Sequence, residues 1–276
     1  METLFVVDEE LCKKDGICAA ECPVMVIDFS DSKKVPIPVE GAADICINCG
    51  HCVAVCPHGA LTHRFLAPQD CLNVNKDMML DEAATEHFLR YRRSIRSYKN
   101  KPVENEKLEK LIHISSYAPS GHNSQPIHWQ VINGRNTVEK LAAHVIDWMQ
   151  NVLEEHPDIG KMMHFDAIIQ IWESGTDRVL RGCPALVLAN GGTQDVFADA
   201  ACKIALTYFE LAVPAQGLGS CWAGYFSRAA NTWPPLKQAL GLSEGMTNYG
   251  TMMVGYPRFS YPRMPTRNTP KITWSA

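Results

Sequence analysis

Two cysteine runs near the N-terminus carry the clearest chemical signal of this 276-residue chain. The second run has the spacing C-x2-C-x2-C-x3-C-P and contains Cys46, Cys49, Cys52 and Cys56. The first run has the same frame with an aspartate in its second position and contains Cys12, Asp15, Cys18 and Cys22. Three thiolates spaced in this way wrap one iron–sulfur cube, and the fourth cysteine, followed by proline, is a ligand of the other cluster. The two runs therefore predict two iron–sulfur clusters that exchange ligands.

Over residues 1–65 this pattern resembles a bacterial two-cluster ferredoxin. The resemblance implies that one 4Fe–4S cluster is held by Cys22, Cys46, Cys49 and Cys52. It implies that the second cluster is held by Cys12, Cys18 and Cys56, with position 15 open. A pair of zinc knots is the competing interpretation, because C-x2-C is also zinc spacing. Four cysteines within eleven residues and the Cys-Pro ending favour the clusters.

Asp15 leaves the iron content of the second cluster open. A carboxylate is a harder ligand than a thiolate and binds iron more weakly. Either Asp15 coordinates the fourth iron, or water does, or that iron is absent and the cluster is 3Fe–4S. The Asp15-Gly16 pair is also typical of a tight turn that has no metal role.

Three separated segments of the remaining chain carry groups suited to a phosphorylated, flat cofactor. The first, around Arg92, is rich in forked guanidinium donors that suit a dianionic phosphate, although a solvated basic patch is the competing interpretation. The second is the loop 118–126, which is dense in small and amide-bearing residues. The third is the turn 217–224, whose glycines allow the backbone to approach a flat ring closely.

In this order the segments resemble the FMN-dependent nitroreductase family across residues 85–276. The resemblance implies FMN contacts from all three segments, at Arg92, Arg93, Ser94, Arg96, Pro119, Ser120, Gly121, Asn123, Gln125, Cys221, Trp222, Ala223 and Gly224. It implies that the N–H groups of Ala223 and Gly224 lie near flavin N5 and stabilise reduced flavin as an oxyanion hole does. It also implies a phosphate ligand at Arg267 or Arg263, for which a polar surface tail is the competing interpretation.

Composition and charge restrict the remaining function classes. The formal net charge is −4 and no basic stripe dominates, which argues against a nucleic-acid partner. No stretch approaches the length that spans a bilayer, so no membrane partner is expected. The odd count of eleven cysteines with cluster spacing indicates a reducing interior, and we expect a cytoplasmic protein.

The elements that must position these residues divide into a two-cluster domain (1–65), a polar, aperiodic linker (66–84) and an FMN-binding domain (85–276). Periodicity in the last domain predicts helices over 85–93, 104–117 and 196–213, a helix capped at Asn136, and strands over 129–133, 185–189 and 251–256. Strands interleaved with helices predict an α+β fold, with an antiparallel or mixed sheet flanked by helices. The family resemblance implies a homodimer with flavin at the interface, and the apolar segment 196–213 fits such burial.

Together these features predict an iron–sulfur flavoprotein oxidoreductase. Electrons would pass from an external donor, reduced ferredoxin, through the clusters to FMN and on to a nitroaromatic, a quinone or a similar conjugated acceptor. One alternative is an electron relay that serves a protein partner and has no small-molecule substrate. Another is an NAD(P)H-dependent nitro or flavin reductase, although no strand–GxGxxG–helix unit is visible. No feature marks a dedicated acid or base, and His122, His128 and Tyr225 are the candidate proton donors.

Overall fold

A computed structural model describes residues 3–275 of the chain, which fold into two compact units. The chain up to Met79 forms the first unit together with Gly121–Ser124. The second unit consists of Leu80–Ser120 and the chain from Gln125 onward. No helix among the described residues has both the length and the apolar character to cross a membrane.

The first unit contains two short two-stranded antiparallel sheets and three single-turn α-helices. Its strands are β1 (Phe5–Val7), β2 (Ile27–Asp28), β3 (Ile37–Pro38) and β4 (Leu61–His63), and its helices are α1 (Ile17–Ala20), α2 (Ala42–Ile45) and α3 (His51–Ala54). β1 pairs with β4 and β2 pairs with β3, both antiparallel. The buried apolar core is small, so metal–thiolate bonds must contribute much of the stability of this unit.

Backbone geometry repeats between the two cysteine runs. Gly16 and Gly50 immediately precede α1 and α3 with φ of 74° and 73°. Lys14 and Asn48 are also left-handed, with φ of 58° and 52°. Asp15 and Cys49 each lie between two left-handed residues. Asp15 therefore occupies the position in its run that a cysteine occupies in the other run.

The second unit is built on a four-stranded antiparallel sheet in the order β5-β6-β8-β7. The strands are β5 (His128–Asn133), β6 (Ala185–Gly192), β7 (Gly219–Trp222) and β8 (Met246–Gly255). The helices are α4 (Glu82–Tyr91), α5 (Asn105–Ser115), α6 (Arg135–Glu155), α7 (Pro157–Met162), α8 (Phe165–Glu173), α9 (Ala198–Ala212), α10 (Gly224–Thr232) and α11 (Pro234–Ala239).

Helices cover both faces of this sheet. Leu186 and Leu188 of β6 point to one core, which they share with α6, α8, α10 and α11. Val187 and Ala189 point to the opposite core, which they share with α5 and α9. The alternation follows from the two-residue period of a strand, and a central strand buried on both faces is largely apolar. The predicted α+β fold with an antiparallel sheet flanked by helices is confirmed.

Several predicted boundaries differ from the observed ones for local reasons. α4 begins at Glu82 and not at residue 85, because the Asp81 carboxylate accepts the N–H of Ala84 at 2.8 Å and caps the helix. α6 begins at Arg135, just before the expected cap Asn136. The glycine-rich turn predicted over 217–224 contains strand β7, because β8 supplies its hydrogen-bonding partner.

Candidate functional site

The first unit contains two small cavities, each lined by one predicted ligand set. Cavity A is lined by Cys12, Asp15, Cys18 and Cys56, and cavity B by Cys22, Cys46, Cys49 and Cys52, each with neighbouring side chains. Each cavity thus receives its fourth ligand from the opposite cysteine run. Among the described residues, no three side chains of metal-ligating type converge on a single-ion position. The crossed arrangement places the ligands around two cavities, as two clusters require.

Backbone donors reach the sulfur of each crossed cysteine. The N–H of Val26 donates to Cys22 Sγ at 3.4 Å, and the N–H of Ala60 donates to Cys56 Sγ at 3.4 Å. Hydrogen bonds of this kind orient a thiolate ligand and stabilise its negative charge. The donor set and the cysteine ligands therefore fit iron–sulfur clusters.

The thiols of Cys52 and Cys18 favour their protonated form in the absence of metal. Burial raises the pKa of Cys52 to about 11, and the nearby Cys49 adds to the effect. Burial likewise raises the pKa of Cys18. Because thiolate is the ligand form, cluster assembly must release protons from these side chains.

Asp15 lies in the wall of cavity A and is exposed. Its carboxylate accepts the N–H of Ile17 at 3.2 Å, as in an Asx turn. The same carboxylate stands at the ligand position that Cys49 occupies in the other run. Asp15 thus makes a turn contact and lines cavity A, and its role as a ligand stays a prediction.

His63 of β4 is a buried residue of cavity B, and no site role is predicted for it from sequence. Its Nε2 lies 3.6 Å from Cys46 Sγ, and its Nδ1 lies 3.3 Å from the N–H of Phe65. Burial lowers the pKa of His63, and the charge of Arg64 lowers it further. A histidine placed seven residues after the Cys56-Pro57 ending offers no pattern that sequence analysis could have used.

The second unit contains a cavity of about 450 Å³ bordered by the end of α4, the segment 92–99, the end of α9 and the start of β7. Its volume lies in the range of about 300–1,000 Å³ typical of small-molecule sites. Four cationic side chains line it, namely Arg92, Arg93, Lys99 and Arg258. One carboxylate, that of Glu210, lines it as well. This excess of positive charge suits an anionic group such as a phosphate.

Backbone hydrogen bonds hold the segment 92–99 in place along the sheet. The N–H of Ile95 donates to the Ser220 carbonyl at 2.8 Å, and the N–H of Lys99 donates to the Tyr256 carbonyl at 2.8 Å. Gly219 permits this approach, because a Cβ there would lie 2.4 Å from Cγ1 of Ile95. The segment is therefore fixed where its arginines border the cavity.

Glu210 connects the arginine segment to β7. Its side chain, 6% exposed, places Oε1 2.7 Å from Arg92 Nη1. The indole Nε1 of Trp222 donates to Oε2 at 3.3 Å. Sequence reasoning missed Glu210, because a single carboxylate in an apolar helix gives no local sign of partners 118 and 12 residues away.

The remaining predicted flavin contacts of the arginine segment and of the turn 217–224 lie around Cys221 and at the start of α10. Ser94 and Arg96 neighbour the buried thiol of Cys221, whose pKa burial raises, so this thiol favours the neutral, packed form. The N–H of Ala223 donates to the Thr251 carbonyl at 2.8 Å. Gly224 is the first residue of α10, so its N–H has no acceptor within the helix. Of the two predicted N–H donors, Gly224 is the one that helix geometry leaves available.

The loop predicted to reach the flavin has an unusual backbone. His122, Asn123 and Gln125 all have positive φ, of 51°, 53° and 45°. The N–H of Gln125 donates to Ser120 Oγ at 3.0 Å. Non-glycine residues in this conformation are costly and cluster at binding sites. Pro119 precedes this turn and Gly121 begins its 3₁₀ segment, so the predicted contacts share one strained stretch of backbone.

Asn123 of this loop groups with the first unit. Its side-chain amide donates to the carbonyl of Asn48 at 3.0 Å and to that of Ile47 at 3.4 Å. Both acceptors stand between Cys46 and Cys49. The side chain therefore supports the backbone of the second cysteine run.

The basic tail is arranged differently from the sequence prediction. Arg263 and Arg267 lie in an exposed segment without regular secondary structure and do not line the cavity. Arg258 lines it, and its N–H donates to the Ser97 carbonyl at 2.9 Å. Proximity to the strand end explains the difference, because Arg258 follows β8 by three residues.

Fold and cavities together define an α+β protein with a ferredoxin-type module at its N-terminus. Residues 89–256 match the model of the nitroreductase family, and residues 6–60 match that of the 4Fe-4S dicluster domain. The first match covers more than half of the chain, which therefore belongs to the nitroreductase family, whose members are FMN-dependent oxidoreductases. The predicted family and domain type are confirmed.

Individual relatives agree with this assignment. A provisionally named NADH dehydrogenase/NAD(P)H nitroreductase of Archaeoglobus fulgidus is 25% identical over 60% of this chain and 82% of its own length. A protein named Ferredoxin 7Fe from Hydrogenibacillus schlegelii is 37% identical over 21% of this chain and 67% of its own length. Among solved structures, a Bacteroides fragilis nitroreductase with bound FMN is 21% identical, covers 71% of this chain and all of its own, and has a TM-score of 0.59. That likeness concerns the fold.

Proposed function

We propose that this protein takes single electrons from reduced ferredoxin at its iron–sulfur clusters and delivers them through FMN to a nitroaromatic, a quinone or a similar conjugated acceptor. The observation that carries the proposal is the presence, in one chain of the nitroreductase family, of two cavities with crossed cysteine ligand sets. Bound FMN would supply the conversion between single electrons and electron pairs. The clusters would supply the single electrons.

The residues proposed to hold FMN comprise cationic residues that line the cavity of the second unit, the start of α10 and the loop 118–126. Arg92, Arg93 and Arg258 would attract the phosphate, because guanidinium groups donate to phosphate oxygens in a forked geometry. Glu210 would orient Arg92 by its 2.7 Å contact. The N–H of Gly224 would donate to the flavin ring, and the loop carrying Ser120 and Gln125 would contribute from a neighbouring subunit.

The decisive test compares electron delivery in matched cysteine variants. Cys52→Ser removes a ligand of cavity B, and Cys71→Ser changes a cysteine outside both ligand sets. Under anaerobic conditions with reduced ferredoxin, we expect the wild-type protein and Cys71→Ser to bleach their flavin and reduce a nitroaromatic. Cys52→Ser should retain FMN and lose most of the ferredoxin-driven bleaching. Equal bleaching in all three proteins, or purified protein without FMN, would refute the proposal.

NAD(P)H is the second candidate donor, because two relatives carry names that include NAD(P)H nitroreductase. Rapid mixing of the protein with NADH and with NADPH distinguishes a nicotinamide donor from reduced ferredoxin. Flavin reduction by a nicotinamide at the same rate in Cys52→Ser as in the wild-type protein would make the clusters dispensable for input. Rapid flavin reduction without turnover of any small acceptor would favour an electron relay for a protein partner.

Two forms of the cluster in cavity A stay open. A 4Fe–4S cluster would use Asp15 or water at its fourth iron, whereas a 3Fe–4S cluster would lack that iron. The name of the 7Fe relative fits one four-iron and one three-iron cluster in that protein.

A further inference from the structure

His63 is a buried histidine in the wall of cavity B that the proposed electron route does not yet use. It is 5% exposed and lies among the four cysteines that line this cavity. Histidine is rarely buried without hydrogen-bonding partners for its ring nitrogens. Each ring nitrogen of His63 has a neighbouring polar atom. The type of that atom determines whether the nitrogen donates or accepts a hydrogen bond.

Backbone pairing and a tight turn fix the orientation of the His63 ring. His63 pairs with Phe5 across β1 and β4, and it exchanges backbone hydrogen bonds with Leu66 at 2.9 and 3.0 Å. This closure places the N–H of Phe65 3.3 Å from His63 Nδ1. The ring of Phe65 lies 5.5 Å from that of His63 and packs beside it. The ring orientation is therefore set by the fold of the unit.

The two contacts assign the tautomer. A backbone N–H can only donate, so Nδ1 must accept and carries no proton. The proton of neutral His63 is then on Nε2, which lies 3.6 Å from Cys46 Sγ. The geometry is that of an N–H···S hydrogen bond from His63 to a cysteine of cavity B.

The matching position of the other run lacks this donor. Cys46 follows Cys12 by 34 residues, and 34 residues before His63 stands Phe29, which has no polar side-chain atom. The backbone donors to Cys22 and Cys56, by contrast, are equal at 3.4 Å. The histidine bond is thus a second difference between the two cavities, beside Asp15 in place of a cysteine.

We propose that His63 donates a hydrogen bond to the Cys46 ligand and raises the reduction potential of the cluster in cavity B. Reduction adds one electron, taken from the external donor, which is oxidised. No covalent bond forms or breaks. The added charge spreads onto the ligand sulfurs, and an N–H donor stabilises the reduced state more than the oxidised state. His63 is a positioning and tuning residue of the proposed function, and it makes cavity B a favourable place for the transferred electron.

Potentiometric titration followed by EPR tests this on the whole, cluster-loaded protein. His63→Phe installs the residue of the matching position and keeps a buried aromatic ring. We expect the midpoint potential of the cluster in cavity B to become more negative and that of the cluster in cavity A to stay unchanged. His63→Gln, whose amide N–H can replace Nε2–H, should recover part of the shift. His58→Phe, at an exposed histidine lining cavity A, is the control and should leave the cavity B potential unchanged.

A second measurement covers the case in which His63→Phe fails to assemble its clusters. In wild-type protein labelled with ¹⁵N-histidine, electron–nuclear double resonance of the reduced cluster in cavity B should detect a weakly coupled histidine Nε2. Absence of this coupling, or an unshifted potential in an intact His63→Phe protein, would overturn the inference. Neither readout requires turnover. The two proposals can therefore fail separately. If the cluster potential shifts in His63→Phe but reduced ferredoxin does not reduce the flavin, the electron route is refuted and the role of His63 stands.

Discussion

At the scale of single residues, we expect Asp15 to determine the character of the cluster in cavity A. It lines cavity A with three cysteines and, like Cys49, lies between two residues with positive φ. Replacing Asp15 by Cys supplies the missing thiolate and should yield a regular four-iron cluster in cavity A. The EPR spectrum should change for that cluster alone, with an iron count of eight per chain as expected for two cubes.

The control for this prediction is Asp44→Cys, which adds a cysteine on α2 outside both cavities and should leave both EPR signals unchanged. A change in both signals of Asp15→Cys would mean that the cavities are not independent. No change in either would contradict the assignment of Asp15 to a ligand position.

Glu210 is the second residue on which the site depends. Its buried carboxylate binds Arg92 at 2.7 Å and Trp222 at 3.3 Å. Glu210→Ala leaves both donors without their acceptor. We expect the free energy of unfolding to fall by about 1–3 kcal/mol, less than for a fully buried pair because Arg92 is 29% exposed. Chemical denaturation of the FMN-free protein measures it.

A matched control lies on the same helix. Asp199 forms an exposed ion pair with Lys203 on α9, and such pairs contribute little. Asp199→Ala should change the free energy of unfolding by less than about 0.5 kcal/mol. Equal losses in the two variants would show that burial of the carboxylate has no special importance.

At the scale of elements, the close contact between β7 and the arginine segment makes a glycine indispensable. A Cβ at Gly219 would lie 2.4 Å from Ile95 Cγ1 and 3.0 Å from Pro257. Gly219→Ala must push the segment 92–99 away from the sheet, which should cost about 1–3 kcal/mol and weaken FMN binding by displacing Arg92 and Arg93. Denaturant unfolding and a fluorescence titration with FMN measure the two effects.

Gly192→Ala at the end of β6 is the matched control for this substitution. A Cβ there would meet Asp195 at an ordinary 3.6 Å, so stability and FMN affinity should remain close to those of the wild-type protein. If Gly219→Ala bound FMN as tightly as this control, the arginine segment would not be part of the cofactor site.

Sequence alone predicted those features whose cause is local. The grouping of the cysteines around two cavities was predictable because metal geometry imposes a fixed spacing on the chain, and α5 because its apolar period is visible in one window. β7 was missed because Gly219 and Ser220 resemble a turn until β8 supplies a hydrogen-bonding partner. His63 and Glu210 were missed for the same kind of reason: their partners are distant in sequence, and only the fold brings them together.

At the scale of the whole molecule, α9 carries exposed apolar side chains that suit the proposed contact between two copies. Ile204 and Tyr208, one helical turn apart, are 38% and 40% exposed, and Trp222 of β7 is 37% exposed. Apolar side chains grouped on a surface mark interaction sites more often than isolated ones do. The family resemblance implies a dimer with flavin at the interface, so this face is our candidate for the contact between subunits.

Charged side chains introduced on this face of α9 should therefore separate the subunits and release FMN at the same time. We expect Ile204→Lys combined with Tyr208→Lys to sediment as a monomer and to lose FMN, because buried lysines without partners are costly. Glu139→Lys, an equal charge change at an exposed position of α6, should remain a dimer with FMN. Analytical ultracentrifugation detected at flavin and protein wavelengths reports both quantities in one run. A wild-type monomer that retains FMN would contradict the dimeric site.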